Sequence, residues 1–295
     1  MLGTQGATPE KELQIMAIGQ GEFNSIRKLT AEETAAYRKA HEHLHSHDEA
    51  ASLTEIARRN LVAFEECVKD LCQVVPGRGQ HRTLSREAKL DVNRHFLNFL
   101  SAVRQLLDHT ELRLKRQYSN NPEIFKVFQK RTSTAFDTVF AYRFLYKLRN
   151  YSQHCGAPIG IVEYESKSHG NAGETKHTLH LFFDANELLR VGGDLWGPVK
   201  TDLKKIDSKF PVDTLARKVM TELEAIWEAV RNAERPHLKT SAEIALETVK
   251  EACKPHLSPA VVRFWHRKKS TTIEIINPPI ETMAWLGDHT FKEIL

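Results

Sequence analysis

The chain has 295 residues, 41% hydrophobic and 27% charged, which is enough apolar material for a substantial core in one large domain or two small ones. There is no apolar run near the ~18 residues of a membrane span, and Met1–Glu12 lacks the charged-then-apolar order of a signal peptide, so a cytoplasmic location and no membrane partner are expected. The 42 Lys plus Arg against 38 Asp plus Glu leave a charge of only +4, and the four cysteines contain no C-x2-C pair, which argues against a disulfide scaffold or a structural zinc site.

Residues 1–30 show no sustained period and read as an irregular entry segment. Thr30 is a capping candidate for a short polar helix over Glu32–His47. Leu53, Ile56, Ala57, Leu61, Phe64, Val68, Leu71 and Val75 then form a stripe at helical spacing, which Pro76-Gly77 ends. Another helix opens near Ser85, runs to about Tyr118 and turns Phe96, Leu97, Leu100, Val103, Leu107 and Leu114 inward. After the break Asn120-Asn121-Pro122, one long helix carries Phe125, Phe128, Phe136, Val139, Phe140, Phe144 and Leu148.

Beyond Pro158 the pattern changes. Ile159 to Tyr164 and Leu179 to Phe183 read as two strands around a polar loop from Ser166 to Lys176. Gly192-Gly193 and Gly197 read as a turn. Helical spacing returns over Leu215–Val230 and Ala242–Cys253, and two further strands are expected at Val261–His266 and Thr271–Ile276, with a basic turn between them. The expected fold class is mainly α, an α-dominated α+β protein with small β-hairpin elements in the carboxyl-terminal half. The expected segments are 1–30, 31–158 (the helical core), 159–258 (a β-hairpin with further helices) and 259–295 (a terminal hairpin and tail).

The residues richest in chemistry are Arg149-Asn150-Tyr151-Ser152-Gln153-His154, at the end of the third long helical pattern. Arg offers a planar donor fork suited to phosphate oxygens, and His exchanges protons near neutral pH. Asn150 and His154 are i,i+4 neighbours on one helix face, so the amide is placed to orient the imidazole. Arg149 lies about 140° around the axis from His154 by the 3.6-residue period, so one helix cannot wrap both groups around one phosphate. A cleft between helices, or between two copies of the chain, would. The plainer alternative is that Arg149 and His154 cap carbonyls at a helix carboxyl end.

This stretch resembles the Arg-x4-6-His motif of the HEPN superfamily, and Asn150 matches the polar residue the family favours directly after the Arg. The resemblance covers the motif and, more loosely, residues 31–158. It implies a HEPN-like helical bundle and a metal-independent endoribonuclease, of the kind found in toxin and phage-defence systems, that cleaves RNA by attack of the ribose 2′-hydroxyl. His154 would serve as general base or acid, Arg149 would stabilise charge on the phosphoryl oxygens, and Asn150 would orient the His or the phosphate. It further implies a homodimer with two Arg/His sets facing one cleft, no cofactor, no metal, and an antitoxin or defence-system partner. Arg143, Lys147 and Tyr151 are candidate RNA-binding residues leading into and within the motif. The competing reading is a non-catalytic helical module that binds RNA or protein through the same residues.

Other features invite chemistry less strongly. His41, His43, His45 and His47 form two i,i+4 pairs on a helix, expected to be a solvated face without further metal ligands. Arg263-Phe264-Trp265-His266-Arg267-Lys268-Lys269 interleaves cations with aromatic rings, either as a nucleic-acid contact or as a charged hairpin. Asp108 is expected to pair with Arg104. Cys155 beside His154 points about 100° away on a helix, so a Cys/His nucleophile is disfavoured.

Overall fold

The computed structural model describes residues 8–9, 12–19, 21–73, 81–169, 174–267 and 270–292. In chain order the elements are β1 (Thr8–Pro9), β2 (Gln14–Gly19), β3 (Glu22–Lys28), α1 (Ala31–Gln73), α2 (His81–Gln117), α3 (Pro122–Thr138), α4 (Phe140–His154), β4 (Ile161–His169), β5 (Glu174–Asp184), α5 (Ala185–Gly192), α6 (Val199–Leu203), β6 (Lys209–Pro211), α7 (Val212–Val249), β7 (Ser258–Arg267), β8 (Ser270–Ile275) and α8 (Ile280–Leu286). Short 3-10 turns occupy Gly193–Trp196 and Lys250–Ala252. The described residues are mainly helical with small antiparallel sheets, so the expected α-dominated α+β class holds. No helix among the described residues is long and apolar enough to cross a membrane.

The chain divides into two compact units, one comprising Met1–Ala51 and Arg231–Leu295, the other Ser52–Val230. In the first, β7 lies between β2 and β8, β2 also pairs with β3, and every pairing is antiparallel. This corrects the expectation of an irregular segment over residues 1–30. Four successive residues of β2, Ile15 to Ile18, are buried, so the strand is covered on both faces and lacks the alternation that marks a half-exposed strand. Leu13, Ile15, Ala17 and Val261 join Tyr37, Leu44, Leu238, Ala245 and Met283 in one core.

Helix α1 begins with a capping box. Thr30 Oγ1 accepts from the Glu33 N–H at 3.1 Å, and the Glu33 carboxylate accepts from the Thr30 N–H at 2.8 Å. The separate helices expected over 32–47 and 53–75 are one continuous element, because its sequence contains neither Gly nor Pro and polar residues alone do not stop a helix. Helix α7 likewise replaces two expected helices and runs through Pro236. A proline there removes one intrahelical bond, but contacts near it hold the helix. Within the first unit, Glu234 pairs with His47 at 3.3 Å, both fully buried, and Arg231 and Arg235 lie over the Trp285 ring.

The second unit centres on aromatic side chains. Phe64, Phe96 and Phe183 succeed one another at centroid distances of 5.4 and 5.7 Å, and Phe144 packs against Phe183, Phe210 and Trp196. The sheet β4-β5-β6 contributes Phe183 and Phe210, which are direct partners in its register. Strands β4 and β5 extend well into the polar segment expected as a loop, with Ile161 opposite Phe182 and His169 opposite Glu174.

The single helix expected over 125–148 is broken at Val139, where the backbone is extended (φ −112°, ψ 104°). Thr138 and Val139 are β-branched, and the Thr138 hydroxyl bonds back to the Thr134 carbonyl. Arg143 Nη1 donates to the carbonyls of Phe136 and Asp137, two groups left open at the end of α3. The break frees α4 to take its own direction, with Ala141, Tyr142, Phe144, Leu145, Leu148 and Tyr151 buried on one face.

Candidate functional site

The Arg149-to-His154 stretch forms the last turns of α4. The helix ends at Cys155, whose N–H donates to the Tyr151 carbonyl at 2.7 Å. The exit is pinned from α2. Asn93, 4% exposed, uses its side-chain oxygen to accept from the Ile159 N–H at 2.9 Å and its amide nitrogen to donate to the Ile159 carbonyl at 3.1 Å. Both polar groups of a fully buried residue are thereby satisfied by one side chain.

Periodicity sorts the motif into inward and outward groups. Tyr151 is buried and stacks on Trp196 at 5.4 Å, and Trp196 Nε1 donates to the Leu188 carbonyl at 2.8 Å. Burial raises the Tyr151 pKa above the usual phenol value, with Cys155 and Glu187 adding to the effect. Gly192 lets this stack close: a Cβ there would stand 2.4 Å from Trp196 Nε1 and 3.0 Å from the Tyr151 ring. Asn150 and His154 face solvent, and Arg149 is half-buried.

The expected internal contacts of the motif do not form. Arg149 Nη1 donates to Gln153 Oε1 at 2.5 Å, the i,i+4 partner on its own side of the helix. Neither the Asn150 nor the His154 side chain has a hydrogen-bond partner among the described residues, so the amide does not hold the imidazole within one chain. The angular separation read from the sequence is retained, and Arg149 and His154 remain apart.

Of the three expected RNA-binding residues, two turn inward. Arg143 Nε pairs with Asp202 at 2.8 Å, which raises the guanidinium pKa further and ties α4 to α6. Tyr151 offers no exposed stacking face. These placements do not suit the RNA-binding roles expected of Arg143 and Tyr151, because the 3.6-residue period carries both toward the packed side of α4. Lys147 remains half-buried, with Nζ 3.8 Å from where a Cβ on Gly197 would stand, and it makes no ion pair among the described residues.

Other basic side chains lie in ion pairs along helix faces: Lys115 pairs with Glu111 and Lys126 with Glu123, and Arg104 pairs with Asp108 as expected. Cys155 Sγ points to the Val191 carbonyl at 3.8 Å, as a structural thiol would. The histidine run departs from a solvated face, because His47 is 3% exposed and its neighbours are half-buried. Among the described residues no group of three His, Cys, Asp or Glu side chains is arranged to hold a metal ion.

No family model, curated protein or solved structure matches the chain. Asn93, Asp202, Gly192 and Trp196, which position the motif helix, were not singled out for that role in the sequence. The one local signal was Gly192-Gly193-Asp194-Leu195-Trp196-Gly197, where glycines flank a large ring.

Proposed function

We propose that the chain is a metal-independent endoribonuclease acting through Arg149, Asn150 and His154, in line with the HEPN-like motif. The observation that carries this reading is the exposed His154 imidazole without a protein partner at the end of α4. A proton-transfer group must be open to substrate and uncommitted, whereas a side chain kept for helix capping would contact the carbonyls beside it. The half-buried Arg149 guanidinium adds a permanent cation one residue from Asn150.

In the proposed reaction, His154 takes the proton of a ribose 2′-hydroxyl and the oxygen attacks the adjacent phosphorus. The 5′-oxygen then leaves as the P–O5′ bond breaks, taking the proton that His154 accepted, which gives a 2′,3′-cyclic phosphate and a 5′-hydroxyl. Arg149 balances charge on the non-bridging oxygens. Because the two groups diverge on one helix, the complete site is proposed to form between two copies of the chain, with Lys147 contributing to phosphate attraction. A toxin or phage-defence setting, with an antitoxin or similar partner, is the biological context the motif resemblance implies.

Purified protein should cleave single-stranded RNA in EDTA and leave DNA intact. His154→Ala should lower the rate about 10²- to 10⁴-fold with RNA affinity retained, and Arg149→Ala should lower both. Cleavage that needs added metal, equal cutting of DNA, or wild-type activity in both variants would defeat the proposal. If the wild type never cleaves yet Arg149→Ala loses RNA, the protein is a binding module.

A further inference from the structure

Strand β8 lies at an edge of the first unit's sheet: among the described residues it pairs with β7 and with no other strand. Its residues, Ser270-Thr271-Thr272-Ile273-Glu274-Ile275, are all exposed except Glu274, which is half-buried. We propose that this edge is an interface at which β8 pairs antiparallel with β8 of a second copy of the chain, about a two-fold axis at Ile273. The proposal concerns a different unit from α4 and is independent of the ribonuclease reading.

Backbone direction is the first argument. In an antiparallel ladder, residues that exchange both N–H···O bonds with the strand opposite alternate with residues that exchange neither, and the latter turn their backbone groups to the far side. The Ile276 N–H donates to the Val261 carbonyl at 2.7 Å, and the register runs on without a break from Val262 opposite Ile275 to Arg267 opposite Ser270. By that alternation Glu274, Thr272 and Ser270 bond to β7, whereas Thr271, Ile273 and Ile275 direct their N–H and C=O groups to the open edge. Those groups have no backbone partner among the described residues.

Other edge strands carry features that discourage pairing with a further chain. Strand β3 contains Glu22, Arg27 and Lys28 and meets β2 across an irregularity at Ile15/Met16; β4 carries Glu163, Glu165 and Lys167; β6 is only three residues long and includes Pro211. Strand β8 has no Pro, Gly, Lys or Arg, and its β-branched Thr271, Thr272, Ile273 and Ile275 favour extended pairing. Its one charged side chain, Glu274, lies on the opposite face from Ile273 and is taken up by Arg263 Nε at 2.8 Å and Trp265 Nε1 at 2.6 Å.

Self-complementarity points to a second copy as the occupant. With Ile273 opposite Ile273 of the second copy, Thr271 stands opposite Ile275, and each of these pairs exchanges two N–H···O bonds. Glu274 then faces Thr272 rather than another Glu274, so no like charges meet across the axis. A shift by one residue would set inward-bonded groups against the partner and lose the pairing. Ile273 lies beside Phe264 in the register, and Phe264 packs on Met16, Ile18, Ala260 and Val262. Ile273 and Ile275 are 37% and 41% exposed, and the pairing would join the two apolar clusters across the axis.

Cysteine cross-linking of the full chain tests this contact separately from any dimer formed at α4. A hydrogen-bonded antiparallel pair holds its Cα atoms about 5.5 Å apart, within disulfide range. Ile273→Cys should therefore give a disulfide-linked dimer under mild oxidation at least tenfold faster than the wild type with its native cysteines. Ile275→Cys alone, which faces Thr271 and not itself, should stay at the wild-type rate, whereas an equal mixture of Thr271→Cys and Ile275→Cys proteins should cross-link. Adding Ile273→Lys to both members of that mixture should slow the reaction at least tenfold while far-ultraviolet circular dichroism stays unchanged. Cross-linking of Ile273→Cys no faster than wild type, equal rates for Ile273→Cys and Ile275→Cys, or an undiminished rate in the folded Ile273→Lys proteins would each overturn the proposal.

Discussion

Replacing Asn93 by Ala should be among the most destabilising single changes near the motif helix. The Asn93 side chain satisfies the N–H and the C=O of Ile159, a residue with no solvent exposure, just after the end of α4. Each buried backbone group left without a partner costs about 1–3 kcal/mol, and two together about 2–6 kcal/mol. The Asn93 bond to the Lys89 carbonyl is also lost, but that carbonyl faces the next helical turn and remains within the α2 hydrogen-bond ladder. With a urea slope of about 1–3 kcal/mol/M, the unfolding midpoint should fall by roughly 1–2 M. Asn93→Asp keeps the acceptor for the Ile159 N–H but faces the Ile159 carbonyl with a charged oxygen, so at pH 7 it should cost at least as much. Equilibrium unfolding followed by circular dichroism provides the measurement. A loss below about 0.5 kcal/mol in Asn93→Ala would refute the claim that this one side chain holds the exit of α4.

Gly192→Ala should force the Trp196 indole out of its stack with Tyr151, costing about 1–3 kcal/mol and shifting tryptophan fluorescence; an unchanged emission spectrum and unfolding midpoint would contradict the close approach. Acid should weaken the first unit in two steps. The His41 pKa is depressed from 6.5 to about 4, so the unfolded chain takes up its proton first: the stabilisation is complete above pH 6.5 and is lost as pH falls through about 4, on the order of 1–2 kcal/mol after allowance for solvent screening. His41→Gln should flatten the stability profile between pH 6.5 and 4.5, and an equal slope in variant and wild type would discount the assignment. The Arg27 hydrogen bond, then the Thr30 N–H, holds Glu33 down to about 2, so its contribution is present above pH 4.5 and disappears as pH falls through about 2; Glu33→Gln should reduce that acid loss in the same assay. Mixing Arg149→Ala with His154→Ala protomers should restore part of the ribonuclease activity if two chains contribute to one site, and light scattering showing an active monomer would reject that arrangement.

Sequence by itself determined the elements whose signals are local. The cap at Thr30, the stop at Asn120-Asn121-Pro122, the apolar face of α4 and the β7–β8 hairpin were all legible, because caps, breakers and side-chain period act over a few residues. The divergence of Arg149 from His154 followed from the same period. Tertiary structure decided the rest. Strand β2 exists because Ile15, Met16, Ala17 and Ile18 find cover on both faces and a partner in β7, some 240 residues away, and no local pattern encodes that pairing. Helix α7 continues through Pro236 despite the propensity for a break, while α3 and α4 separate at Val139, where Arg143 takes up the freed carbonyls. Arg143 and Tyr151 looked available as members of a basic, aromatic stretch. Asp202 and Trp196 are contributed by chain some fifty residues later, and only folding could bring them close enough to claim both side chains.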